Sequence, residues 1–326
     1  MKISLYNTDL QRIAIIDEKF VSCLWSEGYN TIEPFSLELR ATEEYKKKVR
    51  PDYFIGRNDR KTLMVIKSVE VSGDKIVATG SQASILLDDV AFVGTLPAGF
   101  EVDTEIAKVY NESSKLEKVE FVSSGITDTY DHQIGNKSFR ELCETVCKSK
   151  DIGLRSIRNG QSINIQFYKI GAKPNLVFSQ KFGNLNIDTI KFSTKVFKNY
   201  AIVLGEGEGE SRVRVDVDLT NGETRRELIV DARDVQRQEN ETASSYKTRL
   251  RARGIEKLLE NQKIFDLIFT PFEKDFGKKY DLGDILTIFL PELDMKIQSR
   301  IVRFTEKSQN NQTTINIDVG NLVIKR

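Results

Sequence analysis

The chain has 326 residues, too many for one small core and suited to two or three domains of ordinary size. It is 39% hydrophobic and 30% charged, a globular balance, and its 49 basic and 48 acidic side chains nearly cancel, so no global field draws it to nucleic acid or anionic lipid. Three cysteines, no cationic-then-apolar leader and no apolar run near membrane length point to synthesis in a cytoplasm and no stable membrane association.

Strand patterns dominate the first hundred residues. Residues 62–71 (TLMVIKSVEV) and 75–80 (KIVATG) flank a Ser72-Gly73-Asp74-Lys75 turn, and a short helical patch is expected over 81–90. A polar, charge-mixed stretch follows at 101–120. Next comes a helix over 138–150, with Phe139, Leu142, Cys143 and Val146 on one stripe, and an alternating strand at 162–167 carrying Ile163, Ile165 and Phe167. Residues 212–219 (RVRVDVDL) alternate cleanly, with Val213, Val215, Val217 and Leu219 on one face and Arg214, Asp216 and Asp218 on the other. Asn221-Gly222 predicts a tight hairpin joining this strand to 226–232, because both residues tolerate positive φ. The longest helix spans 242–262, with Tyr246, Leu250, Gly254 and Leu258 at i+4 spacing, and a last alternating run at 313–319 carries Ile315, Ile317 and Val319.

The expected class is mainly β with a few helices, not alternating βαβ. The pattern divides the chain into a strand-rich block at 1–100, an α+β segment at 101–195 and a second strand-rich block at 196–326. The outer blocks share a grammar of long alternating strands, tight hairpins and one helical insertion.

The most unusual stretch is GEGEGESR, residues 205–212. It lacks the lysine of a phosphate loop, and Glu206, Glu208 and Glu210 repel an anion. Its glycine spacing is not that of a dinucleotide fingerprint, and it runs into a strand rather than a helix. The glutamates have hard-oxygen chemistry for calcium, but an extended chain points them to one side without the sharp turn of a calcium loop. The favoured reading is structural: alternating glycines leave one strand face bare for close approach of another element. Gly205, Gly207, Gly209 and Arg212 are therefore candidates for close packing or a subunit interface.

Catalytic chemistry is sparse. The single histidine, His132, sits in a loop-like segment, and any Ser or Cys triad would have to use it. Two-carboxylate hydrolysis needs no histidine, yet no spacing among the 48 acidic residues singles out a pair. Cys143 and Cys147 read as core-facing thiols, since zinc would need two further soft ligands and only Cys23 and His132 remain. No catalytic residue, metal ligand or cofactor site is expected. The 242–262 helix carries Lys247, Arg249, Arg251, Arg253 and Lys257, a face that suits solvent or an acidic neighbouring subunit better than nucleic acid.

Taken in order, GEGEGESRVRVDVD with its arginine-rich helix, residues 35–56 preceded by Trp25, and residues 279–307 with their Leu-Gly-Asp turn form a pattern. It resembles the tail hub proteins of bacteriophages and phage-tail-like particles, the siphophage tail-associated (Gp37-like) proteins and, more distantly, the baseplate hubs of contractile tails. The likeness is thin over 101–195, and Pro291 departs from it by interrupting a strand region.

The resemblance implies a homotrimer in which each subunit supplies two β-barrel tube domains, with 101–195 inserted between them. The six barrels form a pseudo-sixfold ring joining the tail tube to a spike or tip. Its implied partners are the distal tail or tail tube protein, the tape-measure protein and a spike or fibre protein, with DNA only as cargo through the channel. The location implied is the virion tail, after assembly in the bacterial host cytoplasm. Some relatives carry an appended peptidoglycan hydrolase, for which the chain leaves no room after the second barrel. The alternative is a tail-associated cell-wall hydrolase acting through carboxylates.

Overall fold

The computed structural model describes residues 2–17, 20–271, 276–309 and 312–325. The alternating runs of the first block become seven strands: β1 (Lys2–Tyr6), β2 (Arg12–Asp17), β3 (Phe20–Gly28), β4 (Pro34–Arg40), β5 (Phe54–Arg57), β6 (Leu63–Ser72) and β7 (Lys75–Gln82). They lie in the order β2-β1-β5-β6-β7-β4-β3 within a 13-stranded sheet. The Gly73 turn closes the β6–β7 hairpin, where Ser72 faces Lys75. Between β4 and β5 runs the short α1 (Glu43–Lys48), capped by the Thr42 side chain, with acids in its first turn and lysines in its last.

The next stretch packs helices on small sheets. The expected helical patch is a 3-10 turn at Ala83–Asp89. There follow β8 (Ala91–Leu96), β9 (Phe100–Glu101), α2 (Val102–Ser113), β10 (Val119–Phe121), β11 (Thr129–Tyr130), β12 (Ile134–Ser138), α3 (Phe139–Lys150), β13 (Gly153–Asn159) and β14 (Ser162–Tyr168). On α3, Phe139, Leu142, Cys143 and Val146 are buried, as their stripe requires, and β14 buries Ile163, Ile165 and Phe167. The helix α2 was not legible in the polar 101–120 stretch. It buries Val102, Ile106 and Tyr110 at i+4 spacing, and also Asp103, whose carboxylate accepts backbone N–H bonds from Ser124, Gly125 and Ile126 at 2.7–3.1 Å.

After β15 (Ala172–Phe178), β16 (Leu185–Ser193) leads to β17 (Tyr200–Leu204), β18 (Arg214–Asp218), β19 (Glu227–Asp231) and α4 (Ala243–Glu260). The chain returns through β20 (Ile264–Pro271) to β21 (Ile285–Leu290), β22 (Met295–Gln309) and β23 (Gln312–Lys325). Pro291 lies in a turn between β21 and β22 and leaves their pairing intact, with Leu290 opposite Met295.

Two compact units result, Met1–Asp188 with Ile268–Arg326, and Thr189–Leu267. This division differs from the blocks expected at 1–100, 101–195 and 196–326. One continuous core joins Leu10, Phe54 and Val65 to Phe92, Ile106, Phe139 and Phe167, so no break falls at residue 100. At the other end, β22 pairs with β23 along one edge. Its second edge pairs with β21 over Met295–Arg300 and with β3 over Arg303–Gln309.

In the smaller unit the expected hairpin at Asn221-Gly222 is corrected. Both residues do take positive φ, +47° and +87°. Yet β18 and β19 do not pair: β17 lies between them, antiparallel to β18 and parallel to β19. Asn199 pins this crossover, its carbonyl accepting from Leu219 N (3.0 Å) and its side chain bonding Arg226 N (2.7 Å) and Thr224 O (3.1 Å).

The β3–β22 seam carries a buried ionic network. Glu27 accepts from Trp25 Nε1 (2.8 Å), Thr62 Oγ1 (2.6 Å) and two nitrogens of Arg60 (3.0 and 3.1 Å). Arg60 also reaches Asp281 at 2.7 Å and lies over the Phe304 ring. Beside it Arg57 bridges Asp59 and Glu306, at 2.6 and 2.8 Å, beneath Trp25. Burial works to raise the Glu27 pKa, but Arg60 and the bonds from Thr62 and Trp25 outweigh it and hold the carboxyl below its ordinary range. Its stabilisation is therefore complete above the ordinary carboxylate range and is lost as pH falls through the depressed folded value. Glu27→Gln is expected to cost about 3 kcal/mol in urea unfolding at neutral pH and to flatten the acid limb of the stability profile. An unchanged midpoint and acid limb would remove the network from the account.

Candidate functional site

In the smaller unit the sheet β18-β17-β19 is covered on one face by α4. Tyr246, Leu250, Gly254 and Leu258 form the buried stripe expected of that helix, against Ala201, Val203, Val215 and Val217. The β17–β18 connection, residues 205–213, contains the glycine–glutamate stretch. It is a turn and not the extended opening of a strand. Gly207 and Gly209 have φ of +105° and +55°, and a single 3-10 turn spans Gly209–Ser211. Left-handed backbone of this kind is costly for residues with a Cβ, which is why glycine occupies it.

Gly205 meets a close neighbour, the chain's own α4. A Cβ there would lie 2.5 Å from the Tyr246 hydroxyl and 2.8 Å from Leu250 Cδ1. The same hydroxyl accepts Glu206 N–H at 2.9 Å, and the Glu206 carboxylate accepts from Arg237 N at 3.0 Å. Arg212 ties the loop down from the other side, donating to the Gly205 carbonyl (2.9 Å), the Leu204 carbonyl and Asp231 Oδ1 (2.6 Å). Its bond holds the Asp231 carboxyl below the usual range. Of the four sequence candidates, Gly205 and Arg212 thus meet in one anchored loop. Gly207 shapes its backbone, and a Cβ at Gly209 would meet nothing within 4 Å.

The titratable inventory is spent elsewhere. His132 is exposed in a loop beside the Tyr130 ring. Cys143 and Cys147 are buried on α3 and Cys23 on β3, and burial pushes all three thiols up, Cys23 to about 12. Among the described residues no group of three or more His, Cys, Asp or Glu side chains is placed to hold a metal ion. Glu27 with Asp281, and Glu306 with Asp59, are paired to Arg60 and Arg57 of the larger unit, the two glutamates buried and the two aspartates half exposed.

The basic helix face divides in two. Arg249 pairs with Glu241, Arg253 with Asp234 and Glu256, and Lys257 with Glu260. Lys247 and Arg251 have no carboxylate partner among the described residues. With Arg214, Val215, Asp216, Ser244 and Thr248 they line a groove of about 380 Å³. The sequence signalled the cations, through i+4 spacing on α4, but not the strand that faces them.

A family described as Siphovirus ReqiPepy6 Gp37-like protein matches residues 122–321. A search of curated proteins finds no match. Among solved structures, the prophage tail protein gp18 of Listeria monocytogenes EGD-e is similar with a TM-score of 0.58 and 12% identity, over 98% of this chain and 94% of that one. The 43 kDa tail protein of prophage MuSo2 from Shewanella oneidensis gives 0.59 and 13%, over 98% of both chains. A tail protein from Neisseria meningitidis MC58 gives 0.62 and 10%, over 98% and 96%. At these identities the likeness is one of fold, mainly β with few helices.

The loop geometry ranks its glycines. Gly205→Ala is expected to cost about 2 kcal/mol through overpacking against Tyr246 and Leu250. Gly207→Ala costs at least as much, about 2–3 kcal/mol, because its φ is positive and its Cβ would lie 2.9 Å from the Ser211 carbonyl oxygen, while Gly209→Asn stays within about 0.5 kcal/mol. Urea unfolding with hydrogen exchange across residues 201–217 reads the order, and equal stability of all three variants would contradict it.

Proposed function

The chain belongs to the Siphovirus ReqiPepy6 Gp37-like family of phage tail proteins, and on that premise we propose that it is a tail or baseplate hub. In this reading three copies form a pseudo-sixfold ring around the delivery channel, between the tail tube above and the spike or tip below. Its partners are the distal tail or tube protein, the tape-measure protein and a spike or fibre protein, with DNA as passing cargo. It acts in the virion tail after assembly in the host cytoplasm, and it has no catalytic role.

The observation that carries the reading is the shared β22–β23 hairpin. One half of β22 continues the sheet of β3 and the N-terminal strands, and the other half pairs with β21, itself paired to β15. In this reading the two strand groups built on one hairpin act as two tube-like modules per subunit, which is what a threefold ring needs to meet a sixfold tube. Mechanical continuity between them suits a part that bears load through subunit contacts. The buried carboxylates Glu27 and Glu306 are neutralised by arginines within the fold, which favours assembly over glycan or peptide hydrolysis.

Light scattering and mass photometry of the full chain, alone and with its neighbouring tail proteins, test the ring. The expected species has about three times the 37.2 kDa chain mass and appears as rings in negative stain. A monomer under every condition, with no ring in the presence of the tail proteins, would contradict it. Clearing of purified cell wall in a zymogram, lost in Glu206→Gln or Glu208→Gln, would replace the structural reading with the hydrolase.

A further inference from the structure

The strand β18 is an edge. Its one partner within the three-stranded sheet is β17, and no strand pairs with its other side among the described residues. The orientation of its backbone follows from its neighbours. Gly205 N donates to the Val213 carbonyl (2.8 Å) and Leu219 N donates to the Asn199 carbonyl (3.0 Å), so Val213 and Leu219 face β17. The antiparallel period of two then turns Val215 and Val217 the same way and leaves the N–H and C=O groups of Arg214, Asp216 and Asp218 on the open side.

That open side is one wall of the 380 Å³ groove, and the first half of α4 is the other, through Ser244, Lys247, Thr248 and Arg251. Charge along the groove is one-sided. Asp216 is engaged by Arg214, with bonds of 2.8 and 3.0 Å, and by the Tyr200 hydroxyl at 3.1 Å. The exposed Lys247 and Arg251 have no such compensation. An edge strand with unpaired backbone groups, flanked by a helix across a groove, is the arrangement to which an extended peptide adds as a further strand.

We propose that the groove between β18 and α4 is a strand-addition site for an extended, acidic segment of a partner protein. The segment's backbone pairs with Arg214, Asp216 and Asp218, and its carboxylates meet Lys247 and Arg251. A phosphodiester backbone fits less well, because it offers no strand hydrogen bonds and meets the Asp216 carboxylate at the mouth of the groove. The site is independent of the ring stoichiometry proposed above.

The probe is a fluorescein-labelled, end-blocked eight-residue peptide alternating glutamate with threonine and valine, titrated against the full chain by fluorescence anisotropy. Saturable binding is expected, weakened at least about tenfold in the Lys247→Glu/Arg251→Glu variant. Both residues are exposed, so that variant should keep its melting temperature. Two further probes read the backbone: N-methylation of alternate peptide residues abolishes binding in one register and spares it in the other. On binding, the amides of Arg214 and Asp216 gain protection in hydrogen exchange. The proposal is overturned by failure of the peptide to saturate, by equal affinity in both N-methyl series, or by equal affinity of the charge-reversed variant. It is overturned too if a short single-stranded DNA occupies the groove and the peptide does not.

Discussion

The pairing of β3 with β22 is the constraint on which the larger unit rests. It joins residues 22–28 to residues 303–309, nearly the whole chain apart, and so closes the N-terminal strands onto the last hairpin. Closing so long a loop carries an entropic cost that local strand pairing alone would not offset. The seam is specified by burying Glu27 against Arg60 and Glu306 against Arg57, with Trp25 and Phe304 stacked on the two guanidinium groups. Buried ion pairs add little net stability over apolar packing, but they are intolerant of error. A slip of one residue along β22 would part Glu306 from Arg57 and Phe304 from Arg60, leaving buried charge uncompensated at a cost of about 3–5 kcal/mol. Register, more than affinity, is what the network supplies. A second clamp repeats the logic where Arg300 binds Asp151 with two 2.8 Å bonds and lies over the Tyr29 ring.

The smaller unit solves a different problem with 79 residues and one helix. A three-stranded sheet needs a cover, and α4 gives it one only by lying close. Gly205 and Gly254 are where that closeness is met, the first beneath Tyr246 and Leu250, the second against Val203 and Val217. The glycine–glutamate stretch is therefore a packed and tethered turn. Arg212 and the Tyr246 hydroxyl hold its two ends, and its exposed glutamates keep a tight apolar junction soluble.

Much of this was legible in sequence where a single period decides the outcome. The stripes of α3 and α4, the alternation of β14 and β18, and the positive-φ turn at Asn221-Gly222 all follow from local chemistry. Partner choice did not follow. Periodicity tells which face of a strand is buried but not which strand lies beside it, so β18 and β19 looked like a hairpin although β17 separates them. The helix α2 was hidden because Asp103 interrupts its apolar stripe, and only its bonds to the backbone of residues 124–126 explain a buried acid there. Nothing local marks Glu27 as buried, because its partners Arg60 and Thr62 lie 33 and 35 residues away. The likeness to tail hub proteins was carried by the order of such weak signals, and the family match over residues 122–321 agrees with it.

The most direct measurement is electron cryomicroscopy of an assembled tail containing this chain. The account predicts three copies in a closed ring between tube and tip, each contributing two strand modules joined at β22–β23. A single copy, a hexamer of this chain, or a position away from that junction would contradict it.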